Sequence, residues 1–378
     1  MAMALPLGGL LIFWLNKNSF GELDMKLLTI AIPSYNVESY LPNCLNSLIK
    51  VTSQDKLEIL IINDGSTDKT ASIADSFAAK YPAFIRLISK ENGGHGSAIN
   101  TALSIASGKY FMVLDGDDQV NSDNLDTLIS IIEGVDVDLI STNYERIDIQ
   151  TGAVNPVIQQ GIRYNRIYSF EELNVHSIYF ALANSCFKTE LLIKNNIRLQ
   201  ENTFYVDVEY ILLPIPFIQS VIFYDLYIYR YYVGNSQQSI HIPTMVKRYS
   251  HHERVLKRII CYFQTLQLTG THKAYVKNIM EKLLYTHYSL ALIYNPDKRL
   301  GYEQAKNFDL FLQEQSNDLY ILAGKTIPSL YIARKYHYNY EKYKQSFFCR
   351  LKQIPCYSFL KIIFFKLRLN KLCKLFYK

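Results

Sequence analysis

The chain has 378 residues, 49% of them apolar, which is long enough for one large core with a further region attached. Its net charge of +6 is uneven, because ten of the 40 Lys and Arg residues lie in 342–378, where there is no Asp or Glu. The remaining residues have the charge balance of an ordinary soluble domain. Six cysteines are scattered without paired spacing, which excludes a disulfide scaffold and a cysteine-rich zinc site and fits reduced thiols in the cytosol.

An apolar run at residues 2–15 has no basic residues before it, and it is shorter than the roughly 20 residues that cross a bilayer. Met25 leads directly into a predicted strand. We therefore expect Met25 to be the natural start and residues 1–24 to be an N-terminal extension. A segment that touches a membrane is the alternative.

Apolar runs alternate with helical patterns in the first part of the chain. Strands are predicted at residues 27–32, 57–62, 84–89 and 110–114. Helices are predicted at residues 38–50 and 67–80 and from about 97 to 106. This alternation predicts a mostly parallel sheet with right-handed crossovers, flanked by helices. Glycine or polar residues follow each strand, at the edge where ligands bind in such sheets.

The second part of the chain is less regular. Predicted here are a strand at 137–144, a hairpin region at 145–168, partly helical structure at 170–196, an aromatic strand at 221–233, and helices at 243–268, 273–294 and beyond 301. We place an approximate boundary between the main domain and the helical region near residue 240. The predicted division is a main domain at 25–240, a helical region at 241–340 and a basic amphipathic tail at 341–378.

Asp115, Asp117 and Asp118 follow the predicted buried strand at 110–114 in the sequence Asp-Gly-Asp-Asp. Carboxylates at the end of a parallel strand face the ligand crevice. They suit a hard divalent cation, Mg²⁺ or Mn²⁺, which neutralises phosphate oxygens. A polar turn that ends the strand is the alternative.

Other strand ends supply groups that a nucleotide needs. No dinucleotide-binding or P-loop glycine motif is present. However, Tyr35 is suited to stack on a base, Asp64 to accept the imino hydrogen of uracil, and Asp115 to bind ribose hydroxyls. The glycine-rich turn at 93–96 opens a helix whose amides suit a diphosphate. Each feature also has a structural interpretation, as a packed aromatic residue, a turn or a helix cap.

In their order and spacing, these motifs resemble the family 2 glycosyltransferases of the GT-A fold. The matching segments are Leu28–Asn36, Ile61–Asp68, Asn92–Asn100 and Val113–Asp118. The resemblance implies an α/β fold of the GT-A type with a C-terminal helical region. It implies that Pro33, Tyr35, Asp64, Asn92, Gly94 and Asp115 bind the nucleotide sugar. It also implies that Asp115 and Asp117 belong to the Asp-x-Asp motif of the family, with Asp117 as a direct metal ligand.

One departure from the family pattern concerns the diphosphate. Family members often have Arg immediately before the Asn that ends the glycine-rich segment, but here Ile99 precedes Asn100. His95 either replaces that contact or is a loop histidine.

Transfer of a sugar to a hydroxyl group requires a base on the acceptor side of the site. Asp207, in the segment Phe-Tyr-Val-Asp-Val-Glu-Tyr, resembles the acidic acceptor-side element of the family and implies inversion. Glu209 is the rival base, and a surface acid at the start of a helix is the alternative for Asp207. Arg230 and Gln238 are candidates for contacts with diphosphate or acceptor, and His241 for a further metal ligand. A packed arginine and an exposed histidine are the default interpretations.

We expect a cytoplasmic, metal-dependent glycosyltransferase that acts in surface polysaccharide synthesis. Its expected donor is a nucleotide sugar, specifically a UDP-sugar, and its expected acceptor is a glycan or a lipid-linked molecule. The basic amphipathic tail predicts contact with an anionic membrane at its inner face; a packed helix is the alternative. No nucleic-acid-binding motif is visible. The competing functions are an inactive nucleotide-sugar-binding protein and a sugar nucleotidyltransferase.

Overall fold

The computed structural model describes residues 26–234, 240–266 and 268–345. Across these ranges ten strands join one sheet. The strands are β1 (Leu28–Ser34), β2 (Leu57–Asp64), β3 (Ile85–Lys90), β4 (Tyr110–Val113), β5 (Gln119–Val120), β6 (Leu139–Asp148), β7 (Val154–Val157), β8 (Ile167–Ser169), β9 (Ser185–Lys188) and β10 (Ser220–Val233). The extension at 1–24 and most of the tail, 346–378, lie outside the described residues.

The order of the strands is β3-β2-β1-β4-β9-β6-β10-β5, with β7 on β6 and β8 on β10. The first four strands are mutually parallel, as predicted. Beyond β4 the sheet is mixed, because β9 is antiparallel to both of its neighbours. The chain runs outward from β1 to β3 and then returns to the other side of β1. This reversal creates a crevice between the carboxyl ends of β1 and β4, where ligands bind in open α/β sheets.

Helices cover both faces of the sheet. Those of the first part of the chain are α1 (Leu41–Leu48), α2 (Thr70–Lys80), α3 (His95–Ile105), α4 (Ser122–Ile132), α5 (Thr189–Lys194) and α6 (Asp207–Leu212). Side chains alternate along β1, so that Ile30 and Ile32 pack with α1, α2 and α4, whereas Ala31 packs on the other face with α3. The predicted fold class, α/β of the GT-A type with a helical region after it, is confirmed.

The C-terminal region is helical. Its helices are α7 (Ile242–Lys247), α8 (Tyr249–Thr265), α9 (Gly270–Ser289), α10 (Lys298–Gln315), α11 (Asn317–Thr326), α12 (Pro328–Lys335) and α13 (Tyr340–Lys344). Buried residues of these helices belong to the same apolar core as Ala31 and α3. Among the described helices, none combines the length and the hydrophobicity needed to cross a membrane.

Candidate active site

Three carboxylates lie together in the turn that follows β4. One oxygen atom from each of Asp115, Asp117 and Asp118 lies within 4.8 Å of the other two. Gly116 lets this turn approach the end of β1, because a Cβ atom there would lie 3.3 Å from Ser34 Oγ. The carboxylates therefore lie at the crevice between β1 and β4, where the sequence predicted a cation and diphosphate site.

Asp118 is buried, and its carboxylate is bound by β10. The Tyr229 hydroxyl donates to Asp118 Oδ2 at 2.6 Å, and the Tyr232 backbone N–H donates to Oδ1 at 2.8 Å. The same Tyr229 hydroxyl accepts the backbone N–H of Asp115 at 3.2 Å. Asp118 therefore fixes the turn, while Asp115 and Asp117 remain open to the crevice. Sequence reasoning missed Tyr229, whose only signal was the density of tyrosines in its strand.

His95 begins α3 and lies against the carboxylate turn. Its Nε2 atom is 2.8 Å from Asp115 Oδ1. Burial opposes a charge on this histidine, but Asp115 outweighs that effect by its charge and hydrogen bond, and the pKa of His95 is raised. The structure thus places His95 beside the carboxylate turn, and its contact with a diphosphate stays a prediction.

The carboxylates repel one another. Burial, followed by the negative charge of Asp115, raises the pKa of Asp117 to about 6. Burial and both neighbouring carboxylates raise the pKa of Asp118 well above its usual range. Neighbouring carboxylates are costly to ionise together because their negative charges repel. A hard divalent cation that binds their oxygen atoms stabilises the ionised forms. Asp115 and Asp117 therefore fit Mg²⁺ or Mn²⁺, with Asp118 holding the turn in position.

Asp64, at the end of β2, organises the glycine-rich turn. Its carboxylate accepts the backbone N–H groups of Gly93 (3.0 Å) and Gly94 (2.7 Å) and the Lys90 ammonium group (2.8 Å). The Asn92 side-chain amide donates to the Asp64 carbonyl at 2.9 Å. Asp64 thus holds the backbone of the turn immediately before α3. The Asp64 side chain is buried and already accepts three donors, so its contact with a base stays a prediction.

The turn after β1 carries the predicted stacking residue. Pro33 is buried in β1, whereas the Tyr35 side chain is 50% exposed. The next residue, Asn36, is tied to the turn after β2, since its N–H donates to Ser66 Oγ and its Oδ1 accepts the N–H of Thr67. The Tyr35 ring is therefore available at the crevice, and its role in base stacking stays a prediction.

Asp207 begins α6 and opens to the same crevice. The surrounding protein removes water from the Asp207 carboxyl group, which raises the pKa of Asp207. The charge of His95 lowers this pKa, and the charge of Asp115 raises it further. The Tyr231 phenol is influenced by the charges of Asp118, Asp115, Asp117 and Asp207. Asp207 and the carboxylate turn are therefore close enough to affect the same phenol.

Glu209, the rival base, has a different environment. Its side chain is fully buried and accepts Arg258 Nη1 at 2.6 Å and the Gln200 backbone N–H at 2.8 Å. It thereby connects α6 with α8 and with the segment 197–206. These partners favour a structural role for Glu209 and leave Asp207 as the better candidate. Sequence reasoning did not find Arg258, which lies 49 residues away in the chain.

The segment 197–206, which leads to Asp207, packs on the start of α3. Asn100 binds it through both atoms of its amide, donating to the Leu199 carbonyl at 2.9 Å and accepting the Leu199 N–H at 2.8 Å. A Cβ atom on Gly96 would lie only 2.2 Å from the Gln200 carbonyl oxygen. The glycine-rich segment therefore contacts the stretch of chain that leads to Asp207.

Of the remaining candidates, Arg230 lies opposite Gln119, the residue after Asp118, in the pairing of β10 with β5. Arg230 forms an ion pair with Glu145, with 3.1 Å between Nε and Oε2. His241 is exposed and precedes α7. The structure brings neither residue against the carboxylate turn by a hydrogen bond among the described residues. Gln238 lies outside the described residues.

Comparisons with known proteins agree with this architecture. The family profile described as Glycosyl transferase family 2 matches residues 29–190. EpsJ of Bacillus subtilis, an uncharacterized glycosyltransferase, is 28% identical over 257 residues, which are 65% of this chain and 72% of EpsJ. The teichoic acid poly(glycerol phosphate) polymerase of Staphylococcus epidermidis is 30% identical over 200 residues. That match includes 52% of this chain but only 27% of the polymerase.

A solved structure shares the fold. The crystal structure of S. aureus TarS 1–349 in complex with UDP-GlcNAc has a TM-score of 0.59 and 20% identity to this chain. The match covers 83% of this chain and 91% of that one.

Proposed function

Because this chain belongs to glycosyltransferase family 2, we propose that it is an inverting enzyme that uses a divalent metal ion and a UDP-sugar. The acceptor in this proposal is a hydroxyl group of a glycan or lipid-linked molecule in surface polysaccharide synthesis. The relationship to a teichoic acid polymerase supports the polysaccharide assignment. The complex of a structural neighbour with UDP-GlcNAc supports a UDP-sugar donor.

The observation that carries the proposal is the cluster of Asp115, Asp117 and Asp118 in the turn after β4. Burial lowers the pKa of His95, and Asp207 is near enough for its charge, like those of Asp115 and Asp117, to raise it. A transferase needs such an arrangement, because charge develops on the departing diphosphate while a proton leaves the acceptor hydroxyl. A bound Mg²⁺ or Mn²⁺ would stabilise the departing diphosphate.

Other steps of the proposed reaction are assigned to residues of this chain. Asp115 and Asp117 would hold the metal ion, and Tyr35 and Asp64 would hold the base. Asp207 would accept the proton of the acceptor hydroxyl on the side opposite the diphosphate, which gives inversion at the anomeric carbon. Its raised pKa suits a base that works near neutral pH, since the carboxylate then takes up a proton more readily.

The basic composition of the C-terminal tail supports a peripheral location on an anionic membrane at the cytoplasmic face. This proposal concerns residues outside the described ranges. It would place the crevice near a lipid-linked acceptor.

The test is a screen of nucleotide sugars for release of UDP or another nucleoside diphosphate, with and without Mn²⁺. We expect Asp117→Ala to lower turnover about 100-fold or more, because a metal ligand is lost. We expect Asp207→Asn to lower kcat by about 10²-fold or more and to leave the Kd of UDP unchanged, because only the base is lost. Asp123→Ala, an exposed acid at the start of α4, is the matched control.

Two results would contradict the proposal. Turnover by Asp117→Ala in the presence of a chelator would exclude the assigned metal role. Full turnover by Asp207→Asn would exclude this residue as the base. Binding of UDP-sugars without any turnover by the unmodified protein would favour the inactive binding protein, and release of pyrophosphate from a nucleoside triphosphate would favour the nucleotidyltransferase.

A further inference from the structure

Phe204 is an aromatic residue held at the surface close to the candidate base. Its side chain is 41% exposed, although the segment around it is fixed by internal contacts. It lies three residues before Asp207 in the segment 197–206. Burial of an aromatic ring is favourable, so an exposed ring beside a catalytic carboxylate has a cost that a bound ligand would offset.

The Phe204 ring is paired with a cation. The Arg248 guanidinium carbon lies 3.5 Å from the centre of the ring, and the His251 ring meets Phe204 edge-on at 5.3 Å. Among the described residues, no carboxylate lies within ion-pair distance of Arg248. Stacking fixes the plane of a guanidinium group but leaves the N–H groups at its edge free to bind an anion.

The backbone fixes the direction of this stacked pair. Tyr205 has a positive φ of 68°, an uncommon conformation for an aromatic residue that turns the chain sharply beside Phe204. Arg254 Nη1 donates to Thr203 Oγ1 at 3.1 Å and holds the preceding residue against α8. Burial raises the pKa of Tyr205, the charge of Arg248 lowers it and that of Asp207 raises it, so both charged groups lie near one phenol.

Two further arginines, Arg254 and Arg198, belong to α8 and to the segment 197–206, which also holds the exposed acid Glu201. The hydrogen bonds of Arg254 reach Thr203 Oγ1 and the Asn202 carbonyl, and that of Arg198 reaches the Asn100 carbonyl. These partners are neutral, so the positive charges of the arginines are not compensated by the groups they bind. A positive edge next to an exposed ring matches a sugar that carries an anionic substituent.

We propose that Phe204 and Arg248 form an acceptor platform that selects a sugar carrying an oxyanion, either a phosphate or a carboxylate. The ring packs against the apolar face of the acceptor sugar, and the guanidinium edge binds the oxyanion through paired hydrogen bonds. The acceptor hydroxyl is thereby brought to Asp207. This inference rests on the proposed function and specifies its acceptor class.

The experiment compares three sugars with the same ring: glucose, glucuronic acid and glucose 6-phosphate. Their Kd values are measured on the full chain, with and without UDP and Mn²⁺. We expect at least one charged sugar to bind about tenfold more tightly than glucose, because hydrogen bonds to a charged group are stronger than those to a neutral one. The charged sugar with the lower Kd shows whether the platform prefers a phosphate or a carboxylate.

Two variants separate the parts of the platform. In Arg248→Gln the three Kd values should become equal, while the Kd of UDP stays unchanged. In Phe204→Leu all three sugars should bind more weakly by a similar factor. Arg166→Gln is the matched control, because Arg166 also stacks on an aromatic ring, that of Tyr168, but its guanidinium is paired with Glu172. Thermal denaturation shows whether each variant is folded.

Equal binding of the three sugars by the unmodified protein would overturn the proposal. So would a loss of UDP binding in Arg248→Gln, which would assign this arginine to the donor diphosphate. Failure of the proposed function has a different signature, absence of UDP binding by the unmodified protein. In that case, discrimination among the sugars without UDP would still support the anion platform, and its absence would overturn it.

Discussion

At the scale of single residues, the site depends on groups that never touch a substrate. Tyr229 illustrates this, because its hydroxyl donates to the buried Asp118 and accepts the backbone N–H of Asp115. It therefore sets the conformation of the turn that presents Asp117. Residues that orient metal ligands commonly affect metal affinity by about 10–100-fold.

Tyr229→Phe removes this hydroxyl with little change of volume. We expect the affinity for Mn²⁺ in the presence of UDP to fall about tenfold or more. We also expect the free energy of unfolding to fall by about 1–3 kcal/mol, because the buried Asp118 carboxylate loses a donor. Calorimetric titration with Mn²⁺ and urea denaturation measure the two effects.

The control for this prediction is Tyr168→Phe. The Tyr168 hydroxyl accepts the Arg163 backbone N–H at 2.6 Å in the β8 region. Its loss should lower stability and leave the affinity for Mn²⁺ unchanged. Equal metal affinities in Tyr229→Phe and the unmodified protein would show that Asp118 does not need this hydroxyl to fix the turn.

Single residues also show how much of the site the sequence predicted. The carboxylates after β4 were predictable, because a buried strand must end where the polar run begins. The partners of Asp64 and Glu209 were not, because Gly94 and Arg258 reach them through tertiary contacts. A sequence pattern names the groups at a strand end, but it does not show which of their lone pairs are already in use.

At the scale of elements, the start of α3 and the segment 197–206 form one unit that connects the glycine-rich turn with Asp207. Asn100 binds Leu199 through both amide atoms, and Asn202 donates its N–H to the Gly93 carbonyl. Gly96 makes this contact possible, since a Cβ atom there would meet the Gln200 carbonyl at 2.2 Å. A displacement of this segment would move Asp207.

Gly96→Ala tests this coupling. The methyl group must push the segment away from α3, which we expect to lower stability by about 1–3 kcal/mol. Turnover should fall by about 10-fold or more, because small displacements of a catalytic group have large effects on rate. Urea denaturation and UDP release measure the two quantities, and the Kd of UDP reports on the donor side.

Gly134→Ala is the matched control, since no atom lies within 4 Å of a Cβ atom at that position. We expect it to leave turnover unchanged. If Gly96→Ala proved as active as Gly134→Ala, the segment would accommodate the methyl group without moving Asp207.

The elements that the sequence predicted best were the local ones. The four parallel strands and the helices between them follow from apolar periodicity over short stretches. The position of β9 between β4 and β6 was not predictable, because four residues carry too little pattern to indicate two antiparallel partners. The predicted helix at 243–268 is divided into α7 and α8 at Arg248, the residue that stacks on Phe204.

At the scale of the whole molecule, the helical region is continuous with the core of the main domain. The boundary near residue 240 that the sequence suggested is not a boundary of the apolar core, because α8, α9 and α10 share a cluster of buried residues with β1 and α3. We therefore expect both parts to unfold together. The division into domains itself stays a prediction.

A buried pair of histidines lies within this shared core. The Nδ1 atoms of His252 and His287 are 3.2 Å apart, and the Tyr249 hydroxyl lies 2.8 Å from His287 Nε2. Burial lowers the pKa of His252 to about 4. Burial, with the charges of His252 and Lys257, holds the pKa of His287 well below its usual value. Both residues are therefore neutral in the folded protein near neutral pH.

This pair predicts the stability of the protein in mild acid. Unfolded histidines take up protons near pH 6.5, whereas His252 in the folded protein does so only near about pH 4. At these histidines the unfolded state thus binds more protons between these values, and their contribution to the free energy of unfolding should fall as pH falls, by up to about 1.4 kcal/mol per pH unit for each histidine. Asp117, whose pKa is raised to about 6, contributes with the opposite sign. Urea denaturation from about pH 8 to about pH 5 measures this slope.

His252→Gln should make the slope shallower, whereas His176→Gln, which alters an exposed histidine, should leave it unchanged. Parallel curves for His252→Gln and the unmodified protein would show that this pair does not control acid stability.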